Sequence, residues 1–476
     1  MEKLKDKILK IIIILLILII ICIIGLIMII NNKAKEPAQQ NNKSLIPEDT
    51  NTTVYANQLT TISNYFEDIT DINTYYTIKD IVEEYFETLS KLNMTFLDAE
   101  LEFASSSSIT EDGIQNYMVK EIEFNAKKIE YYFNSTLKEK YNINYNNIDN
   151  LKEQLGNYHH VYVSIEDMYK MNKSDKIIFY CVKGLLIDKD TLEQSQLNMV
   201  VVTDTSNKTF EIYTENYLND LGFKNLVKGK SIDLDVKSIE NKKYNVYKDV
   251  NYETEQYVKE IFDTYKKNIQ YNKNNSYNLL NDKYKSLRFE NEEEYNKFIE
   301  NENLRIINAK LSKYKTTKIE EYTQIVCLDE DNNYYIFNVT KPGTYTVYLD
   351  NYTILAEDRA EEYESAFING KCSINLERFF DAVKDENYTY LYSLLSDSFK
   401  TSKFPTKNSF IEYVQNNFFK ENEIESINTN MLSDGVSYLC DTIIVDKTEN
   451  SKDKKNIKFT MKLKEDNNFE LSFNIN

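Results

Sequence analysis

The sequence predicts an α+β protein in which one N-terminal transmembrane helix precedes three tandem repeats, each a helix laid on a curved antiparallel sheet. Three observations carry this prediction. A twenty-residue run near the N-terminus has no charge, an aromatic-rich strand segment recurs three times, and an amphipathic helical period stands upstream of each recurrence.

Ile11 to Ile30 is dominated by Ile and Leu. At helical rise it spans about 30 Å, the thickness of a hydrocarbon core. A cleaved signal peptide would have a shorter apolar stretch ending in small residues, whereas Asn31, Asn32 and Lys33 follow here. Cys22 lacks the small residues that precede a lipidated cysteine and reads as an ordinary apolar helix position. Lys3, Lys5, Lys7 and Lys10 flank the run on its N-terminal side and only Lys33 and Lys35 on the other. The positive-inside bias therefore makes residues 1–10 a cytoplasmic stub and places the C-terminal region outside the cell membrane. The expected lipid contact is through residues 11–30.

Residues 31–72, with Pro37, Pro47 and many Gln, Asn and Thr, read as a spacer. A chain of 476 residues with 42% hydrophobic and 28% charged residues is globular and too long for one core. The first 35 residues carry net +4, which leaves −23 on the rest of a chain of net charge −19. A surface this acidic repels phosphate backbones, so nucleic acid is excluded as a direct partner.

Self-comparison exposes the repeat. Thr209-Phe-Glu-Ile-Tyr-Thr-Glu-Asn-Tyr217 matches Thr344-Tyr-Thr-Val-Tyr-Leu-Asp-Asn-Tyr352, and Phe469-Glu-Leu-Ser-Phe473 fits the same slot. Each follows a turn and an apolar strand, at Leu197–Val202, Tyr334–Val339 and Ile457–Leu463. One hairpin earlier come Ile177–Val182, Gln324–Leu328 and Val436–Ile444, carrying Cys181, Cys327 and Cys440. Equivalent positions in separate sheets are a poor place for mutual disulfides, so these three thiols are read as core packing; with Cys372 they are spread too far apart to mark a small disulfide scaffold. Tyr277–Lys285 aligns with Tyr392–Lys400, with a weaker version around Leu137 and Tyr141. Amphipathic helices precede these elements: Ile78, Ile81, Val82, Tyr85, Leu89 and Leu92, with Thr77 as N-cap, then Val258, Ile261, Phe262 and Tyr265, then Leu376, Phe379, Phe380 and Val383. The repeats span 73–225, 245–355 and 370–476.

A long helix, then a Leu-Leu-Ser-Asp-x-Phe-Lys element as in Leu394 to Lys400, then three strands, resembles the nuclear-transport-factor-two-like superfamily. That resemblance implies a cone-shaped α+β fold over most of residues 73–476, able to enclose an apolar pocket. With one membrane helix in front, the architecture also resembles bitopic scaffold proteins of bacterial conjugation and type IV secretion, which implies assembly rather than catalysis.

Chemistry is sparse. His159 and His160 are the only histidines, at the edge of the run Tyr158 to Ile165. Read as strand residues they face opposite sides and do not share a metal. Asp329, Asp331 and Asn333 alternate like a calcium loop, but Tyr334 and Thr340 stand where Gly and Glu are required, so a hairpin turn is expected. Ser105 to Ser108 read as a loop, and no nucleophile elbow, phosphate loop or CxxC is present. No catalytic, cofactor-binding or metal-ligating residue is assigned. The expectation is a non-catalytic, single-pass, extracytoplasmic scaffold that binds envelope proteins in a secretion, conjugation or wall-associated complex. A homo-oligomer is left open, and the alternative is a small-ligand-binding protein that uses a cone pocket.

Overall fold

In the computed structural model, residues 66–103, 110–214, 236–449 and 451–475 are described. The predicted membrane span at 11–30 and the serine run at 105–108 lie outside them. No helix among the described residues is long and apolar enough to cross a membrane.

The chain is a mixed α+β structure with three antiparallel sheets. Its first unit runs β1 (Glu67–Asp68), α1 (Ile72–Lys91), α2 (Phe96–Phe103), α3 (Glu111–Glu130), α4 (Ser135–Lys140), α5 (Ile148–Leu155), then β2 (Val161–Asn172), β3 (Ile177–Asp188), β4 (Gln194–Asp204) and β5 (Thr209–Thr214). The second has α6 (Thr254–Tyr271), a 3-10 turn at Lys273–Leu279, α7 (Asp282–Arg288), α8 (Glu292–Asn308), β6 (Leu311–Lys318), β7 (Thr323–Asp329), β8 (Tyr334–Lys341) and β9 (Thr344–Tyr348). The third has α9 (Glu357–Ser365), α10 (Ile368–Lys384), α11 (Tyr388–Ser393), α12 (Asp397–Lys403), α13 (Lys407–Asn417), β10 (Asn422–Met431), β11 (Ser437–Asp446), β12 (Lys454–Leu463) and β13 (Phe469–Ile475). Within each sheet, neighbours in the chain are neighbours in space.

Each of the three strands expected per repeat overlaps an observed strand, with ends that differ by up to six residues, and each sheet adds a strand in front of them. Those additions, β2, β6 and β10, each carry a bulge, at Ile165/Asp167, Leu311/Lys313 and Ile424/Ser426. A bulge bends and twists its strand, so each sheet curves along its leading long strand. Two residues of the predicted spacer pair with β2, and Phe66 and Ile69 beside them are buried. The helix expected to start at Thr77 begins a turn and a half earlier. Asp71 caps it by accepting from the Thr74 amide at 2.7 Å, while the Thr77 hydroxyl accepts the Val250 amide at 2.8 Å.

Helix and sheet meet through aromatic rings. In the third unit Phe379 lies 5.4 Å from Phe459 and 5.7 Å from Phe418, and Phe418 lies 5.3 Å from Phe473. In the second, Phe262 lies 5.0 Å from Tyr335, and Tyr265 lies 5.7 Å from Phe337. These edge-to-face and tilted pairs fill the space beneath the helix without any Trp.

The two joints between units differ in kind. Units one and two share a continuous apolar core, while the third has its own. Because a second layer covers it, β3 is buried along almost its whole length, which explains its uninterrupted apolar run Ile177 to Val182. At this first joint Tyr76 stacks near Tyr252 and Tyr257, and Lys79 bridges Glu83 and Glu260 at 3.1 and 2.7 Å. Burial alone would lower the Lys79 ammonium, but the two carboxylates overcome this and hold it above its ordinary value. The second joint is polar. Arg378 of α10, almost wholly buried, donates to the carbonyls of Tyr352 at 2.7 Å, Thr353 at 3.3 Å and Asn467 at 2.7 Å, and to Asn375 Oδ1 at 3.1 Å.

Two substitutions test the joints. Gly343, at φ +76° in the β8–β9 turn, sits so close to Tyr75 of α1 that a Cβ would fall 2.0 Å from its hydroxyl. Gly343→Ala is expected to destabilise the chain by about 2 kcal/mol or more, through both the left-handed backbone and the clash. Arg378→Met leaves buried carbonyls without donors and is expected to cost about 3 kcal/mol, centred on the third unit. Denaturant midpoints with residue-resolved hydrogen exchange read both outcomes. An unchanged midpoint for either would show that its joint does not constrain the fold.

Candidate functional site

The two histidines lie where α5 gives way to β2. After Leu155 the chain turns at Gly156, φ +104°, where a Cβ would meet the Tyr158 ring at 2.4 Å. Only glycine fits both the conformation and the close approach. The Tyr158 ring packs edge-on against Phe86 of α1 at 5.5 Å, and Asn93 donates to the Tyr158 carbonyl. His159 and His160 follow in a bend, ahead of the first strand residue Val161. Strand alternation therefore does not separate them. Their rings stack at 3.9 Å between centroids with 25° between planes.

Asp98 arrives from the first turn of α2. Its Oδ2 accepts from the Thr95 amide and hydroxyl, both at 2.7 Å, and Thr95 Oγ1 in turn accepts the Asp98 amide at 3.2 Å. This reciprocal cap locks the carboxylate in place. His159 Nε2 lies 2.8 Å from Asp98 Oδ2, and His160 Nε2 lies 3.1 Å from Asp98 Oδ1. On the other edge of the rings, Asp190 Oδ2, from the β3–β4 turn, lies 2.9 Å from His160 Nδ1 and 3.6 Å from His159 Nδ1. Burial would raise the Asp98 carboxyl, but hydrogen bonds from the Thr95 amide and from His159 outweigh it and hold the group well below the usual carboxylate range.

The cluster forms one wall of a cleft of about 560 Å³, bounded by α1, α2, the start of β2 and the end of α6. Glu83, Glu87 and Glu102 line it with Lys91, Lys189 and Lys267. Lys91 pairs with Glu102. Asp98, His159 and His160 each offer one ligand atom, all within 4.8 Å of one another.

The other residues singled out in the sequence do not join this cluster. Asp329 caps its own hairpin, its Oδ1 accepting the Asp331 and Asn333 amides at 3.0 and 2.8 Å while Tyr335 donates to Oδ2 at 3.3 Å. The turn reading accounts for all of these contacts. Cys181, Cys327 and Cys440 are buried on the second long strand of their sheets. Burial pushes the Cys181 and Cys327 thiols up to about 12. Cys372 shares a hydrogen bond with Cys440 inside the third core, and that bond together with burial raises the Cys372 thiol. Sequence spacing alone does not connect Asp98 or Asp190 with the histidines. The one legible trace was the Thr95-x-x-Asp98 cap pattern.

The fold defines a class, a mixed α+β protein built on three antiparallel four- to five-stranded sheets. Neither a protein-family model nor a curated protein sequence matches the chain.

The sign of the Asp98 perturbation sets an expectation for acid. A carboxyl held below its unfolded value contributes stability that is complete above about pH 4 and lost as pH falls through the folded value. Asp98→Asn is expected to flatten the acid side of the stability–pH profile while leaving the profile above neutrality parallel to wild type. Chemical denaturation across pH checks this, and an acid limb identical to wild type would remove Asp98 from the account.

Proposed function

We propose that this protein is a membrane-anchored, extracytoplasmic, non-catalytic scaffold of a bacterial envelope, in which nuclear-transport-factor-two-like units present surface to other envelope proteins of a secretion, conjugation or wall-associated complex. The anchor is the apolar run at 11–30, and the −23 charge of the rest suits a water-facing body that avoids anionic headgroups. The observation that carries the reading is the surface of the α2–α3 pair. Leu97 and Leu101, one turn apart on α2, are 61% and 69% exposed, and Phe96, Val119 and Phe124 are also exposed on these two helices. Exposed large apolar side chains on one helical pair favour protein contact.

Aromatic filling of the helix–sheet interiors weighs against the ligand-binding alternative. The larger clefts, of about 240, 560 and 610 Å³, are each lined by residues from two units. A cleft of only about 140 Å³ opens within the first unit, beside Tyr85 and Leu197.

Cross-linking of intact cells with a membrane-impermeant reagent, followed by purification of the full chain, tests the reading. Recurring envelope proteins are expected with wild type, and Leu97→Asp with Leu101→Asp is expected to lose them while leaving the circular dichroism spectrum unchanged. The scaffold reading fails if wild type carries no partner above background, or if the double variant retains every partner. The orientation fails if the chain is labelled only after the membrane is permeabilised.

A further inference from the structure

We infer that Asp98, His159 and His160 form a binding site for one divalent transition-metal ion of the zinc class, with Asp190 as the outer carboxylate that orients the imidazoles. This site does not rest on the scaffold reading.

The ligand set comes first. Two imidazoles and one carboxylate suit Zn²⁺, Ni²⁺ or Cu²⁺, whereas Ca²⁺ and Mg²⁺ take oxygen ligands. In a tetrahedral site with ligand bonds of about 2.0–2.1 Å the ligand atoms stand about 3.3 Å apart. Here the Nε2-to-carboxylate separations are 2.8 and 3.1 Å, and the three ligand atoms lie within 4.8 Å of one another. Small side-chain shifts open this triangle to metal dimensions. Asp98 Oδ2, which accepts two hydrogen bonds from Thr95, faces His159 Nε2, and Oδ1 faces His160 Nε2.

The orientation of the rings is the second observation. Carboxylates flank the stacked pair on both edges, Asp98 on the Nε2 side and Asp190 on the Nδ1 side. His160 has a carboxylate oxygen within hydrogen-bond distance of both ring nitrogens, at 3.1 and 2.9 Å, and His159 has one at 2.8 Å from Nε2. A dication on the Nε2 side would sit between the two rings and Asp98. Each ring then stays neutral, its Nδ1–H points toward Asp190 and its Nε2 lone pair faces the metal, the outer-carboxylate arrangement that fixes a ligand's tautomer.

The third observation is access. Both histidines are partly exposed on the wall of an open cleft, so an ion can enter and water can complete its coordination. Asp98 belongs to α2 and the histidines to the entry of β2, so a bound ion ties the α2–α3 pair to the first sheet. That pair has only a small apolar core of its own, around Met94, Ala99 and Ile114.

The test uses the full chain in detergent, purified without a histidine tag, stripped with chelator and titrated with ZnCl₂ by calorimetry. One equivalent is expected to bind and to raise the melting temperature. His159→Gln and His160→Gln are expected to weaken binding by at least about tenfold, and Asp190→Asn by about tenfold. Absence of saturable one-to-one binding by wild type, or a His160→Gln affinity within about twofold of wild type, overturns the site. Electron paramagnetic resonance of the Cu²⁺-loaded wild type needs no variant and so decides the matter should a variant misfold. Hyperfine coupling to two imidazole nitrogens is expected, and its absence overturns the site.

Discussion

Each sheet ends in a strand with an open edge, and how that edge is closed determines where everything else can lie. An unpaired strand edge is a row of unsatisfied donors and acceptors. In the second and third units the segment after the long helix runs back and spends its own backbone groups there, and in the first unit the segment after α3 does so. Ile212 of β5 donates to the Tyr132 carbonyl at 3.0 Å, Asn281 donates to the Val347 carbonyl of β9 at 3.0 Å, and Ser396 and Leu471 of β13 link at 3.0 Å. Leu280 and Leu395 make the same isolated parallel bridge, to Val347 and Leu471. Ile212, Val347 and Leu471 occupy one position of the repeat. A helix tethered by its C-terminal continuation to the far edge must cross the sheet, and its apolar side then faces the strands.

That constraint gives meaning to the Leu-Leu element. Leu279-Leu280 and Leu394-Leu395 look in sequence like a fragment of helix, but their job is a strand-like bridge between short helical turns, with Asn281 and Ser396 as the next caps. The first unit reaches the same strand position through Tyr132, upstream of Leu137. The sequence match around Leu137 and Tyr141 is weak because the backbone dock requires no particular side chain. What the first unit keeps is the hydrogen bond, and a comparison of side chains does not register it.

The same logic separates what was legible in the sequence from what was not. The inner strands were legible because one face alternates, as in β11, where Tyr438, Cys440, Thr442 and Ile444 are buried in turn. The added strands β6 and β10 were not, because they lie at an edge, are mostly exposed, and read Leu-Ser-Lys-Tyr-Lys-Thr-Thr-Lys and Asn-Glu-Ile-Glu-Ser-Ile-Asn-Thr-Asn-Met. Edge strands with charge and little apolar period are protected against aggregation, and for the same reason are invisible to a search for hydrophobic pattern. Likewise, the sequence puts the start of α1 at Thr77 because that hydroxyl precedes the apolar period. Its actual partner is an amide more than 170 residues away, at the joint with the second unit.

The histidine pair shows how a sound local rule can be defeated by one glycine. Alternation along a strand would send His159 and His160 to opposite faces. The chain instead leaves α5 through Gly156 in a conformation closed to other residues, and the Tyr158 ring is pinned on Phe86 before the strand begins. Both imidazoles then fall on the same side, over a carboxylate 61 residues away that its own helix cap holds rigid. The components are local and each has a physical cause, but their convergence depends on α1 lying across the first sheet. The cluster therefore depends on long-range packing of α1 and α2 against the entry of β2, which no local pattern in the sequence records.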